Sequence, residues 1–217
     1  MIKAIFLDFD GLIVDTESAI YEVFKKWFRT NKNIELVIDE FLLCVGADDD
    51  VLFDTLDKKH NIKIDREKFS NEVYDEVAFV CQDLEPRDGI IKLIKETKSL
   101  GIKLAVVTSS YRSKIISHLN RLNIIQYFDG LITREDVELA KPNPEPYLRG
   151  LEVLDVSKDE ALIFEDSVNG IISGVNAGIK VIAYPNEITK YGDLSKAYFI
   201  VNDMVDFSIL DYISKLN

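Results

Sequence analysis

Four short stretches hold residues whose types could do chemistry together: Asp8-Phe9-Asp10-Gly11, Thr108-Ser109-Ser110, Lys141 in a loop stiffened by Pro142, Pro144 and Pro146, and Glu165-Asp166-Ser167. Four carboxylates (Asp8, Asp10, Glu165 and Asp166) brought to one place would repel one another unless a cation bound them. Oxygen-only ligands suit a hard divalent ion, and Mg²⁺ characteristically keeps several waters beside one or two carboxylates. Magnesium, a lysine and hydroxyl donors together make an anion-stabilising site suited to a phosphoryl group. Beside such a phosphorus, one carboxylate can attack and form an aspartyl-phosphate. A carboxyl two residues on can protonate the leaving oxygen and then deprotonate the water that hydrolyses the intermediate.

The elements around these stretches predict that they meet. "IKAIFLDF" reads as a buried strand that ends in Asp8-Phe9-Asp10-Gly11, where alternation puts both aspartates on one side and the glycine lets the chain turn closely past a ligand. "IKLAVVT" ends at Thr108, "DGLIT" is a short strand, "ALIFE" ends at Glu165, and "IKVIAY" is a further strand. Between them, helical spacing recurs at Ile90, Leu93, Ile94 and Thr97 before Gly101, at Ile115, Leu119 and Leu122, at Tyr147, Leu151 and Leu154, and at Val168, Ile171, Ile172 and Val175 before Gly178. Phe207, Leu210 and Ile213 suggest a closing helix. This alternation predicts an α/β fold, a Rossmann-like parallel sheet with helices on both faces, whose ligands bind outside the carboxyl ends of the strands. Each polar stretch falls at or near such an end.

Residues 16–86 read differently. Ile20, Val23, Phe24, Trp27 and Phe28 share one helix face, Val51, Leu52, Thr55 and Leu56 another, and Phe69, Val73, Val77, Cys81 and Leu84 a third, with no strand between. We read this stretch as an inserted α-helical subdomain, with the first of these faces as its core and Asp48 as a helix N-cap.

Composition narrows the partners. The 217-residue chain carries a net charge of −12, which argues against nucleic acid because phosphate backbones need clustered Lys and Arg. Cys44 and Cys81 form no disulfide or zinc pattern and read as reduced core residues; His60 and His118 lack metal spacing and read as structural. An EF-hand loop also begins D-x-D, but here the glycine comes too early and Ala19 stands where the closing Glu belongs. The apolar N-terminus, interrupted by carboxylates, is no signal peptide, and no apolar run is long enough to span a bilayer. The expectation is a cytoplasmic protein acting on a small phosphorylated metabolite, without membrane or nucleic-acid partners and monomeric by default.

"DFDGLIVDTE", "VVTSS", "KPNPEPY" and "FEDSVNG" resemble, in order and across essentially the whole chain, the four motifs of the haloacid-dehalogenase-like hydrolase superfamily. Within it the chain looks like the phosphatase and beta-phosphoglucomutase-like branch with a helical cap. The resemblance implies a catalytic core of residues 1–15 and 87–217 and a cap of residues 16–86, with Asp15, Thr16 and Glu17 at the hinge. It implies Asp8 as nucleophile, Asp10 as acid/base, Thr108 as phosphoryl ligand, and Lys141 as the charge neutralising nucleophile and phosphate. Mg²⁺ would be held by Asp8, Asp10 through its carbonyl, Glu165 and Asp166. Gly11, Glu17, Gly46, Ser109 and Ser110 join Asp8, Asp10, Thr108 and Lys141 as substrate-binding positions. Dehalogenating members generally lack the second aspartate, so Asp10 points to phosphoryl transfer. Mutase members carry basic residues in the cap loop, whereas "CVGADDDVLF" has Asp48, Asp49 and Asp50 and no Lys or Arg. The implied function is a Mg²⁺-dependent phosphatase of a small phosphomonoester, with a sugar-phosphate mutase and a non-catalytic phosphate-binding protein as alternatives.

Overall fold

The computed structural model describes residues 1–216. Six parallel strands form one sheet: β1 (Ala4–Leu7), β2 (Lys103–Val107), β3 (Gly130–Ile132), β4 (Ala161–Glu165), β5 (Lys180–Ala183) and β6 (Phe199–Ile200), in the order β3-β2-β1-β4-β5-β6. The helices are α1 (Thr16–Lys32), α2 (Ile38–Phe41), α3 (Asp50–His60), α4 (Arg66–Cys81), α5 (Ile90–Ser99), α6 (Arg112–Arg121), α7 (Glu145–Leu154), α8 (Val168–Asn176) and α9 (Ile209–Leu216). The strand order reverses direction at β1, so the carboxyl ends of β1, β2 and β4 border the crevice where ligands bind in doubly wound sheets.

Alternation along β1 explains why every residue in it is buried. Ile5 and Leu7 point into one apolar layer with Leu104, Val106 and Phe164, while Ala4 and Phe6 point into the opposite layer with Tyr147, Ile163 and Ile171. A strand covered on both faces reads as a continuous apolar run, and the ladder continues just past it, where the Asp8 amide donates to Phe164 O at 3.1 Å.

Residues between α1 and α4 build a third apolar cluster of their own, centred on Phe24, Trp27, Phe28, Phe41 and Phe69. Phe69 makes edge contacts with Phe24, Trp27 and Phe53 at centroid distances of 4.8–4.9 Å. The chain leaves the sheet and returns to it side by side: Val14 bridges Pro86 in antiparallel fashion, and the Arg87 amide donates to Ile13 O. Among the described residues no helix is long and apolar enough to cross a membrane.

Local readings shift in four places. The strand of "IKAIFLDF" stops at Leu7, leaving Asp8 beyond it. In α3 the buried face is Leu52, Phe53 and Leu56, with Val51 exposed, and the N-cap position falls on Asp49, whose carboxylate caps nothing and accepts instead from Tyr74 Oη. In α9 Ile209 is buried and Ile213 packs against the same core, while Leu210 is exposed and Phe207 precedes the helix. Strand β6 escaped the reading because both of its residues are exposed and leave no buried run.

Candidate active site

Asp8 sits just beyond β1 and is buried. Its Oδ1 accepts from Lys141 Nζ at 2.5 Å, and the same ammonium donates to Glu165 Oε1 at 2.7 Å and Val107 O at 2.8 Å. Lys141 therefore holds the ends of β1, β2 and β4 together while placing its charge on Asp8. Glu165 is fully engaged: Oε1 also accepts from Tyr147 Oη, and Oε2 accepts from the Asp166 and Ser167 amides and Ser167 Oγ. Gly170 packs so tightly against it that a Cβ there would meet Glu165 Oε1 at 1.8 Å. That carboxylate orients the lysine and the start of α8, whose N-cap is Ser167.

Asp166 is different. Its Oδ2 accepts from Asn186 Nδ2 at 3.0 Å, but Oδ1 is buried without a hydrogen-bond partner. Asn186 also donates to Gly11 O and is itself fixed by the Ile188 and Thr189 amides. Gly11 has φ +78°, and a Cβ on it would lie 2.2 Å from Asp166 Oδ2, so both its conformation and its lack of side chain are required. Arg87 pins this turn from the returning chain, donating to Gly11 O, Tyr184 O and Pro185 O.

The two aspartates of the first turn face different surroundings. Burial pushes the Asp8 carboxyl up to about 8, with Lys141 opposing and Glu165 reinforcing the rise. For Asp10 burial is outweighed by Lys114, and its carboxyl is held below the usual range. Lys114 Nζ donates to Asp10 Oδ1 at 2.7 Å, Thr16 Oγ1 donates to the same oxygen, and Ser110 Oγ donates to Oδ2 at 2.6 Å. The Asp10 carboxylate is thus turned towards α1 and α6, away from the cluster formed by Asp8, Glu165 and Asp166.

In that cluster one ligand atom from each residue lies within 4.8 Å of the others. Burial, then Glu165 and Asp8, push Asp166 well above the usual carboxylate range. Were all three carboxylates ionised, the one ammonium would leave two negative charges uncompensated, and Asp166 Oδ1 offers a buried lone pair with no donor. The donor set fits a hard divalent cation on Asp8 and Asp166, with Glu165 already committed to Lys141.

Thr108 follows β2 directly and is buried, its Oγ1 accepting from the Ser110 amide; Ser109 Oγ donates across to Gly46 O at 3.1 Å. Asn169 donates to Val45 O at 2.9 Å, so two polar links tie the loop around Gly46 to the sheet edge. Gly46, at φ +75°, would place a Cβ 2.4 Å from Ser167 Oγ. Beneath this loop lies a cavity of about 150 Å³ reached by Asp8, Asp10, Glu17, Thr108, Ser110 and Lys114. The family model described as haloacid dehalogenase-like hydrolase matches residues 5–184. The chain belongs to the haloacid dehalogenase-like hydrolases.

It is 34% identical over 190 residues to a Bacillus subtilis protein named "Putative phosphatase YhcW", covering 87% of this chain and 86% of that one. It is 27% identical to the pyrophosphatase PpaX of Bacillus cereus, over 100% of this chain and 98% of the relative. The beta-phosphoglucomutase of Clostridium difficile superimposes with a TM-score of 0.82 at 23% identity, over 99% and 96% of the two chains, a likeness of fold.

Four residues that bond to the site's groups are not singled out by the sequence reading: Lys114, Tyr147, Asn186 and Arg87. Asn186 lies in the loop three residues past β5, at the same carboxyl edge of the sheet as Asp8. In the sequence Tyr147 carries only the signal of an apolar helix face. Lys114 stands four residues after Ser110, a spacing that brings both onto Asp10 once α6 begins. His60 is exposed and His118 packs on Phe9, so neither joins the cluster.

Proposed function

We propose that this hydrolase is a Mg²⁺-dependent phosphatase of small phosphomonoesters that works through an aspartyl-phosphate on Asp8. The observation that carries the reading is the buried Asp8 beside both an ammonium and an unpartnered Asp166 oxygen: a nucleophile whose ionised form requires a cation. Mg²⁺ on Asp8 and Asp166 would offset the negative charge of the phosphoryl oxygens and keep Asp8 ionised.

Asp8 attacks phosphorus and the phosphorus–oxygen bond to the alcohol breaks. The departing alkoxide takes a proton from Asp10, leaving a carboxylate. That carboxylate then removes a proton from water as the water oxygen attacks the aspartyl-phosphate, which releases inorganic phosphate and regenerates Asp8 and protonated Asp10. Thr108 and the backbone around Ser109 face the phosphoryl group, and Lys141 stabilises the charge on its oxygens. Lys114 holds Asp10 ionised at rest, the form that activates water, so the pair opens when Asp10 carries the proton it gives to the leaving group.

Residues 16–86 act as the cap of residues 1–15 and 87–217, joined where Val14 meets Pro86. The Ser109–Gly46 and Asn169–Val45 bonds support a closed arrangement that keeps bulk water from the intermediate. The test is release of inorganic phosphate from phosphomonoesters with Mg²⁺ and its loss with chelator; release that is unchanged by chelator would overturn the metal's role.

A further inference from the structure

Asp166 has one oxygen held and one left open, and a single side chain makes the difference. Among the described residues the Asn186 carboxamide is the one donor to its carboxylate, at 3.0 Å on Oδ2, while Oδ1 is buried without a partner. Glu165, by contrast, is held by Lys141, Tyr147 and the start of α8. Asp166 thus depends on Asn186 for its orientation.

The carboxamide can lie only one way round. Its Oδ1 accepts from the Ile188 and Thr189 amides, both at 2.9 Å, so the NH₂ end faces Asp166 Oδ2 and Gly11 O, the latter at 3.2 Å. Asn186 is 6% exposed and uses both donors and both acceptor positions of its side chain. The backbone that holds it is itself fixed. Ile188 packs into the apolar cluster of the residues between α1 and α4, Thr189 is fully buried, and the Thr189 hydroxyl accepts from the Asn186 amide. The fit to the first turn is close as well, since a Cβ on Gly11 would lie 2.9 Å from Asn186 Nδ2.

The residue type points beyond its own loop. Winding the chain at Ile188 and Thr189 needs only an acceptor, which an aspartate would supply equally well. An aspartate would, however, set oxygen against Asp166 Oδ2 and Gly11 O. A carboxamide offers an acceptor at one end and two donors at the other. Those donors reach two loops at once: the turn after β1, which carries Asp8 and Asp10, and the end of β4, which carries Asp166. Mg²⁺ demands near-ideal octahedral geometry, whereas Ca²⁺ accepts variable ligand number and angle. Fixing these two loops against each other therefore favours the smaller ion.

We infer that Asn186 is the positioning residue of the cation site: one carboxamide joins the two ligand-bearing loops and sets a preference for Mg²⁺ over Ca²⁺. This rests on the Mg²⁺-dependent reading above. Asn186 acts through Asp166 and Gly11.

Wild type, Asn186→Asp, Asn186→Ala and Thr189→Val are titrated by calorimetry with Mg²⁺ and, separately, with Ca²⁺, and melted in chelator. Asn186→Asp keeps the acceptor for the two amides and removes both donors. Its added charge acts alike on either divalent ion, so the ratio of the two affinities isolates geometry. Wild type should favour Mg²⁺. Both Asn186 variants should lower the Mg²⁺ to Ca²⁺ affinity ratio at least about threefold, and Asn186→Ala should weaken Mg²⁺ binding about tenfold or more. Thr189→Val, which loosens the loop and keeps the carboxamide, should lower the melting temperature and leave the ratio within about twofold of wild type. A smaller fall in the Asn186 variants, an equal fall in Thr189→Val, or a wild type without preference for Mg²⁺ would overturn the inference. A wild type that binds neither ion would instead remove the reading beneath it.

Discussion

Replacing Lys141 by Met isolates the electrostatic core of the site. The two side chains are similar in length, so the change removes a charge and opens little space. Lys141 is 1% exposed and its ammonium bonds Asp8, Glu165 and Val107 O. Its loss leaves two carboxylates facing each other in a buried site, and breaking such a pair from one side costs about 3–5 kcal/mol. With a urea m-value near ~3 kcal/mol/M, the upper end for small proteins, the unfolding midpoint of the metal-free protein should drop by about 1 to 1.7 M. Turnover should be lost as well. The stability deficit should shrink between pH 8 and pH 5, because one carboxyl takes up a proton in place of the lost ammonium. Adding Glu165→Gln to Lys141→Met should recover part of it, with a coupling of at least ~1 kcal/mol in the double-mutant cycle. A deficit below about 1 kcal/mol at both pH values, or strictly additive effects, would refute the assignment of Lys141 as the cation that permits Asp8 and Glu165 to be buried together.

Three further outcomes follow from the same geometry. The Asp8 carboxyl is raised in the folded protein from 3.8 to about 8, so its contribution to stability is present below about pH 4 and is lost as pH rises through 8; Mg²⁺ should therefore raise the melting temperature more at pH 8 than at pH 6, and equal shifts would contradict this. Lys114→Met should release Asp10 from its depressed range and move the acidic limb of the pH profile of kcat/KM upward by about one unit; an unmoved limb would show that Lys114 does not govern Asp10. Gly11→Ala, with a Cβ driven onto Asp166 Oδ2, should weaken Mg²⁺ binding at least ~10-fold as measured by calorimetry, and unaltered affinity would count against Asp166 as the cation's ligand.

How far the sequence foretold this site follows from which physics leaves a pattern in it. Asp8 and Thr108 stand directly after apolar runs and Asp166 one residue beyond, after Glu165, and the rule that ligands gather at strand ends is enough to place them at one edge. The helices between strands follow from the same alternation, whereas the order β3-β2-β1-β4-β5-β6 does not. Partnership leaves no such mark. Glu165 reads as one more acidic ligand by type, yet its two oxygens accept five hydrogen bonds, from Lys141, Tyr147, Asp166 and Ser167. Lys114 looks like any surface lysine until α6 carries it over Asp10. Helix caps and registers fail for a related reason: three consecutive aspartates offer equal candidates, and only packing against Tyr74 decides what Asp49 does.

The central claim is covalent chemistry on Asp8. Wild-type protein mixed with Mg²⁺ and a phosphomonoester, quenched in acid within the first turnovers and digested, should yield a peptide containing Asp8 that is heavier by one phosphoryl group. Asp8→Asn, folded to the same melting temperature or higher, should yield neither that peptide nor inorganic phosphate. Phosphate release by Asp8→Asn at the wild-type rate, or a phosphoryl group found on another residue, would contradict the account.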